Sequence, residues 1–206
     1  MNDREVHVSQ QKVQSTLTLQ LPRRTLLVLC GAAGCGKSTF ATNFVTMHAN
    51  RGLYTTSIVS SDYCRAVICD DENNQLVSRD SFELFHFILH KRMQQGVFTI
   101  ADSTALKAPA RYQLLDLAQR HQYTTCLLIF DVPMAACIQQ DQQRPRSVGA
   151  QVIAYHYHLL HQALLDAPRE GWQQIHVLQT QSTPATLEIL PDLYDNRERL
   201  KNPIVP

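Results

Sequence analysis

Residues 31–38 form a glycine-rich loop whose spacing suits the binding of phosphate groups. The sequence GAAGCGKS matches G-x-x-x-x-G-K-[ST] at every fixed position. Glycines allow successive backbone N–H groups to point into one concavity, and a helix that follows adds its positive end. The loop therefore predicts binding of ATP or a related nucleoside triphosphate, together with Mg²⁺ or Mn²⁺.

Two residues at the end of this loop have predicted roles in that binding. Lys37 can reach the β- and γ-phosphates, and the hydroxyl of Ser38 can ligate the metal. A strand-like run at 25–30 precedes the loop and a helical pattern at 37–49 follows it, which disfavours the alternative of a chance glycine-rich turn. The predicted nucleotide-binding residues are Gly31, Ala32, Ala33, Gly34, Cys35, Gly36, Lys37, Ser38 and Thr39.

Asp62 and Arg65 are candidate residues for the acceptor side of a phosphate transfer. They follow a second strand-like run at 56–60, and the carboxyl end of a parallel strand would place Asp62 beside the phosphate loop. A carboxylate there can accept the proton of an attacking hydroxyl, and an arginine three residues on can clamp a phosphate. The alternative role for Asp62 is to cap the following helix, and the two roles are compatible.

Further charged residues are predicted around the same site. Asp102 ends a third strand-like run at 98–101, where a carboxylate would orient the shell of a magnesium ion; its alternative is a cap or turn residue. Arg144 and Arg146 lie between two predicted helices, where a lid could bring them to the γ-phosphate; their alternative is a solvated basic loop. Residues 70–75 read as a solvated turn, and the histidines at 156, 158 and 161 as surface or packing residues.

Apolar runs alternate with helical patterns along the chain, which predicts an α/β fold. The expected architecture is a central parallel sheet of about five strands flanked by helices, with a helical lid. The predicted strands are 25–30, 56–60, 98–101, 126–130 and 175–178, and the predicted helices begin near 37, 81, 109, 133 and 148. Leu17, Leu19 and Leu21 alternate with polar residues, which predicts an edge strand entering the domain.

Composition restricts the classes of protein that fit. The 206 residues suffice for one α/β domain, and a net charge of +1 excludes a strongly basic overall field. None of the six cysteines forms a C-x-x-C pair, which argues against a zinc ribbon and favours a reducing, cytoplasmic compartment. No apolar run approaches the roughly 20 residues of a membrane span, so no membrane association is expected.

Three features of the chain carry a resemblance to a known family: the loop GAAGCGKSTFA, the segment VSSDYCRAVICDDENNQ and the order of elements around them. In these features the chain closely resembles the kinase domain of bacterial polynucleotide kinase–phosphatase, a family of RNA end-healing enzymes. The resemblance spans about residues 17–178. It implies a P-loop kinase that transfers the γ-phosphate of a nucleoside triphosphate to the 5′-hydroxyl end of RNA or DNA. It also implies that Asp62 is the general base, that Arg65 contacts a phosphate of the acceptor strand, and that Arg144 or Arg146 is a lid arginine.

The same resemblance implies a domain organisation. Residues 1–16 are expected to be a polar tail, 17–180 the kinase domain, and 181–206 a linker that leads to a phosphatase domain and then a ligase-like domain. The family also suggests a homodimer. The chain departs from the pattern at Gln140, where a helix arginine is expected, and at Ala105, where related enzymes often have asparagine.

Two alternatives to a polynucleotide kinase remain open on the sequence. One is a P-loop kinase for a small hydroxylated metabolite or an antibiotic, which a near-neutral net charge mildly favours because nucleic-acid grooves are usually basic. The other is a nucleotide-sensing or regulatory ATPase domain without phosphotransferase activity. The role of Asp62 discriminates between a kinase and a sensor.

Overall fold

A parallel sheet of five strands lies at the centre of the computed structural model, which describes residues 17–144, 147–179 and 185–190. Its strands lie in the order β3–β4–β2–β5–β6. The strands in these ranges are β1 Leu17–Pro22, β2 Thr25–Gly31, β3 Ile58–Ser60, β4 Thr99–Asp102, β5 Thr124–Phe130, β6 Gln174–Leu178 and β7 Ala185–Leu190. The α-helices are α1 Lys37–Met47, α2 Ser61–Cys69, α3 Ser78–Gln94, α4 Ala108–Arg120, α5 Met134–Gln142 and α6 Ala150–Asp166.

The central strand β2 is buried along its whole length because both faces of the sheet are covered. Its side chains alternate between two hydrophobic cores, as the pleat of a strand requires. Leu27 and Leu29 pack in the core that contains Phe44 of α1. Leu26 and Val28 pack in the opposite core, with residues of α3, α4 and α6. The predicted α/β architecture with a five-stranded parallel sheet is confirmed.

The register of the sheet brings the ends of four strands to one edge. Asp102 at the end of β4 is the partner of Ser60 at the end of β3 and of Leu29 in β2. Gly31 at the end of β2 is the partner of Phe130 at the end of β5. The loops that follow these strands therefore meet at the carboxyl edge of the sheet, where ligands bind in folds of this kind.

Helix α2 follows β3 without a loop, and the sequence interpretation did not delimit it. Ser60 caps this helix, because its side chain accepts a hydrogen bond from the backbone N–H of Tyr63. Asp62 thus lies in the first turn and not at the capping position that was its alternative role. A carboxylate in the first turn is still stabilised by the positive end of the helix.

Strands β1 and β7 form a separate two-stranded parallel sheet. β1 was expected to be an edge strand, and its partner β7 lies within residues 181–206, for which the sequence predicted a linker. Residues 185–190 correct that prediction: Leu187 is buried in the core, and its backbone N–H donates to Nε2 of His48 at 2.9 Å. The predicted tail 1–16 lies outside the described residues, and the other domain boundaries stay predictions. No described helix has the length and apolar character needed to cross a membrane.

Candidate active site

The glycine-rich loop connects β2 to α1, and two of its glycines adopt backbone conformations that other residues rarely reach. Gly34 has φ 75° and Gly36 has φ 92°. A Cβ atom at Gly34 would lie 2.3 Å from the carbonyl oxygen of Cys137 in α5, so no larger residue fits there without displacing backbone. The glycines predicted for a phosphate-binding turn are therefore required by the geometry of this loop.

Lys37 lies across the loop in a buried position. Its Nζ donates to the carbonyl oxygens of Gly31 at 3.0 Å and Ala32 at 2.7 Å. The ammonium group is thus held within the turn by the carbonyl groups of the loop itself. This placement suits its predicted contact with phosphate groups, because the charge lies beside the backbone amides that would surround them.

Asp102 is a buried carboxylate that several predicted site residues surround. Burial raises the pKa of Asp102 above its usual range, whereas a hydrogen bond with Ser38 and the charge of Lys37 act in the opposite direction. The charge of Asp62 also raises this pKa, and that of Arg144 lowers it. The structure therefore brings four other residues that were predicted separately within electrostatic range of Asp102.

The oxygen donors of this cluster fit a magnesium ion. Mg²⁺ prefers hard oxygen ligands and is usually held by one or two carboxylates together with substrate phosphates. The hydroxyl of Ser38 and the carboxylate of Asp102 are such donors, and the hydroxyl acts to lower the pKa of that carboxyl group. Within the described ranges, no group of three or more His, Cys, Asp or Glu residues could hold a metal by itself. The donor set thus suits a cation that is shared with a nucleotide.

Replacing Asp102 by asparagine is expected to leave the protein as stable as before, or more stable, while impairing catalysis. A raised carboxyl pKa means that the folded protein binds the proton more tightly than the unfolded chain, so the ionised group opposes folding at neutral pH. Asparagine removes that charge and a predicted metal ligand, and if Asp102 holds the metal of a kinase we expect kcat to fall on the order of 10²-fold or more. Thermal unfolding at pH 7 without nucleotide and steady-state kinetics measure the two effects. A lower unfolding temperature would contradict the electrostatic interpretation.

Arg65 lies beneath Asp62 and does not face open solvent. The side chain of Arg65 is 7% exposed and that of Asp62 is 69% exposed. Nη1 of Arg65 donates to Oδ1 of Asp62 at 2.7 Å and to the carbonyl oxygen of Glu72 at 2.6 Å. Arg65 was expected to contact a phosphate of the acceptor. In the structure its guanidinium instead orients Asp62 and anchors the loop after α2. Glu72 belongs to the acidic stretch that was interpreted as a solvated turn.

The predicted lid is organised by Asp141, a residue that the sequence interpretation missed. Asp141 lies near the end of α5 and is 1% exposed. Its carboxylate accepts hydrogen bonds from the Ser147 hydroxyl and from the backbone N–H groups of Val148 at 3.2 Å and Gly149 at 3.1 Å. Arg144 is exposed in the loop that these bonds close. Arg146, the other predicted lid arginine, lies outside the described residues.

Replacing Asp141 by asparagine is expected to destabilise the protein by about 1–3 kcal/mol, because an amide N–H₂ would face hydrogen-bond donors. Burial tends to raise the pKa of Asp141, but the bonds from Ser147, Gly149 and Val148 hold it below the usual range. A lowered pKa stabilises the fold above the ordinary carboxyl pKa of about 4, and this contribution is lost as the pH falls through the lowered value. The variant should therefore lose less stability than the wild type on acidification below that pH.

Chemical denaturation of both proteins between about pH 3 and pH 7 measures this difference. Asp116→Asn is the matched control, because Asp116 lies on α4 in an exposed ion pair with Arg120. Exposed pairs contribute about 0–1 kcal/mol. Equal losses in the two variants would contradict the assignment of Asp141 as the residue that closes the loop.

His156 of α6 contacts the glycine-rich loop. Its Nδ1 accepts the backbone N–H of Ala33 at 3.3 Å, although the two residues are 123 positions apart. The sequence interpretation treated His156 as a surface or packing residue, and the structure shows that it packs against the glycine-rich loop. No pattern in the sequence could have found the contact, because it depends on how α6 packs against the loop.

Ala105 lies in the turn after β4 and has φ 44° while being buried. This left-handed backbone region suits asparagine better than alanine, because a short polar side chain can bond locally. The backbone conformation at position 105 therefore explains why asparagine is expected there, and this chain has alanine instead. The turn is held by the backbone N–H of Gly31, which donates to the carbonyl oxygen of Thr104 at 3.0 Å.

Comparison with known proteins gives the family and the fold of the chain. Residues 26–164, about two thirds of the chain, match the protein family AAA_33, described as an AAA domain. No curated protein matches the sequence significantly.

Three solved structures have similar folds. A structure of the Pnkp1/Rnl/Hen1 RNA repair complex aligns with a TM-score of 0.59 at 18% identity, over 71% of this chain and 46% of that chain. A structure of AvrRxo1-ORF1 and -ORF2 with ATP aligns with a TM-score of 0.54 at 15% identity, over 72% and 50%. A putative kinase from Chloroflexus aurantiacus J-10-fl aligns with a TM-score of 0.54 at 14% identity, over 79% and 87%. The chain thus spans about half the length of the first two.

Proposed function

Because the chain belongs to the AAA_33 family and has the fold of a P-loop kinase, we propose that it is an ATP-dependent kinase of 5′-hydroxyl ends of RNA or DNA. The observation that carries this proposal is the position of Asp62. Its exposed carboxylate lies in the first turn of α2 and is held by Arg65. Its charge acts on the pKa of Asp102, on which Ser38 and Lys37 of the phosphate loop also act. A carboxylate in this position can receive the proton of an attacking hydroxyl.

Each residue of the site has a distinct part in the proposed transfer. When bound, ATP and its magnesium ion supply the γ-phosphate and neutralise part of its charge. Lys37 and the backbone N–H groups of residues 31–39 hold the phosphates, and Ser38 and Asp102 hold the metal. Asp62 accepts the proton from the acceptor hydroxyl, and Arg65 acts through Asp62 as a positioning residue. Arg144 and Arg146 stabilise negative charge on the transferred group.

The surface beside Asp62 supports an acceptor with nucleobases. Tyr63 and Val67 lie one turn apart on α2 and are both exposed, and Leu76 follows in the next segment with 94% of its surface exposed. Tyr63 is the aromatic residue of this surface, and an aromatic side chain can stack on a base of single-stranded nucleic acid, which is worth about 1–3 kcal/mol per base. The similar structure whose name refers to RNA repair agrees with this class of acceptor.

A phosphate-transfer assay tests the proposed acceptor. The protein is incubated with γ-labelled ATP, Mg²⁺ and RNA or DNA oligonucleotides that have a 5′-hydroxyl end. Label should appear at the 5′ end, and the same oligonucleotides with a 5′-phosphate serve as the control that should stay unlabelled. Absence of label on every 5′-hydroxyl oligonucleotide, with label on a small hydroxylated metabolite, would refute the proposal. The phosphatase and ligase domains and the homodimer that the family resemblance implies stay predictions.

A kinase of a small hydroxylated metabolite or antibiotic is the second candidate. The net charge of +1 favours it, since nucleic-acid grooves usually have an excess of Lys and Arg. It would use Lys37, Asp62 and Asp102 in the same roles. The salt dependence of the acceptor KM separates the candidates, because an oligonucleotide bound through its phosphates loses affinity steeply as salt rises.

A further inference from the structure

The contact between His156 and the phosphate loop places a titratable group where the phosphates of a nucleotide would bind. The backbone N–H of Ala33 is one of the loop donors, and it donates to Nδ1 of His156 at 3.3 Å. Because Nδ1 accepts this hydrogen bond, the proton of the neutral ring is on Nε2. Nδ1 therefore accepts the hydrogen bond that a phosphate oxygen could accept when a nucleotide binds.

The charges of two lysines act on this histidine. Lys37 lies at the start of α1, and Lys107 lies in the segment before α4. Burial lowers the pKa of His156 below its usual range, and the charges of Lys37 and Lys107 lower it further. All three effects favour the neutral ring, which is the form that accepts the Ala33 N–H.

We propose that His156 is a binding residue of the donor site and that its imidazole takes up a proton when a nucleoside triphosphate binds to the loop. Phosphate oxygens replace Nδ1 as acceptors of the loop amide, so the ring loses the contact that required it to be neutral. The same oxygens bring negative charge next to the imidazole, and this charge favours the imidazolium. The bound triphosphate then gains a cation beside Lys37.

Thermodynamic linkage gives the direction of the effect. If binding takes up a proton at His156, the affinity for MgATP must increase as the pH falls, by at most about tenfold per pH unit for one proton. The increase occurs between the pKa of His156 in the nucleotide complex and its lower pKa in the free protein. The inference rests on the proposed function only for nucleotide binding, and it requires no particular acceptor.

The test measures MgATP binding by calorimetry, without an acceptor, between pH 6 and pH 8. His156→Gln preserves an acceptor for the Ala33 N–H but cannot take up a proton. As the pH falls from 8 to 6, we expect the affinity for MgATP to rise by up to about tenfold more in the wild type than in this variant. His156→Ala frees the loop amide and adds no charge. Its affinity for MgATP should depend on pH as weakly as that of His156→Gln. His158→Gln is the matched control on an exposed position of the same helix and should retain the wild-type pH dependence.

Repeating the titration in two buffers with different ionisation enthalpies counts the protons taken up. The wild type and His158→Gln should take up a fraction of a proton more than His156→Gln does at the same pH. Equal proton uptake in His156→Gln and wild type would overturn the inference. A His156→Gln variant that unfolds at the wild-type temperature but no longer binds MgATP at pH 8 would overturn it as well. A negative result in the acceptor assay leaves this inference intact, because the two experiments have separate readouts.

Discussion

Replacing Asp62 by asparagine is expected to lower kcat for phosphate transfer by about 10²–10⁴-fold while the affinity for MgATP stays nearly unchanged. Asparagine has the shape of aspartate but cannot accept the proton of the attacking hydroxyl. Its amide oxygen can still accept the hydrogen bond from Nη1 of Arg65 that is 2.7 Å long in the wild type. The side chain at position 62 is 69% exposed, so we expect little change in stability.

Steady-state kinetics with saturating acceptor and a separate measurement of the Kd for MgATP check this prediction. Asp80→Asn is a matched control, because Asp80 lies in the first turn of α3 and is exposed. Removing its carboxylate should leave kcat unchanged. A wild-type kcat in Asp62→Asn would mean that Asp62 merely stabilises the start of α2. A wild-type protein that binds MgATP but transfers phosphate to no acceptor would favour the nucleotide-sensing alternative.

Breaking the buried ion pair between Arg111 and Glu170 should destabilise the protein by about 3–5 kcal/mol. Both side chains are 1% exposed. Nε of Arg111 donates to Oε2 of Glu170 at 2.8 Å, and Nε1 of Trp172 donates to the same oxygen at 2.9 Å. Either Arg111→Met or Glu170→Gln would leave a buried group without its partner, which is far less favourable than losing an exposed pair.

The pair also supports the active site, because Nη1 of Arg111 donates to the carbonyl oxygens of Ala105 at 3.1 Å and Leu106 at 2.7 Å. These residues belong to the turn that follows Asp102. Burial tends to raise the pKa of Glu170, but Arg111 and Trp172 lower it below its usual range. The stability that this carboxylate contributes is therefore present above the ordinary glutamate pKa of about 4 and is lost as the pH falls through the lowered value.

Chemical denaturation at pH 7 measures the loss, and Arg120→Met is the control because Arg120 is exposed in its pair with Asp116. That control should change the free energy of unfolding by less than about 1 kcal/mol. The double variant Arg111→Met with Glu170→Gln should be less destabilised than the sum of the two single variants, because it leaves no unpaired charge. Additive losses would contradict the ion pair as the origin of the effect.

Features that depend on neighbouring residues were predictable from the sequence. The strands β2 and β5 are continuous apolar runs, and a strand covered on both faces of a sheet needs such a run. The phosphate loop is likewise a local structure, since Gly34 and Gly36 provide the positive φ angles that the turn requires. The placement of Asp62 and Asp102 at one edge of the sheet was predictable, because Asp62 follows β3 and Asp102 ends β4, and these parallel strands pair with each other. Their roles in a site stay predictions.

The remaining features were decided by contacts between distant parts of the chain. β7 pairs with β1 over a separation of 168 residues, and Arg111 pairs with Glu170 over 59. The role of His156 likewise depends on the packing of α6 against the phosphate loop. The sequence by itself determined the turn of the glycine-rich loop and the strands of the central sheet, because steric limits and hydrogen bonding act between neighbouring residues. Only the tertiary structure decided which charged side chains are buried and which distant groups they contact, since desolvation depends on the packing of all the elements around them.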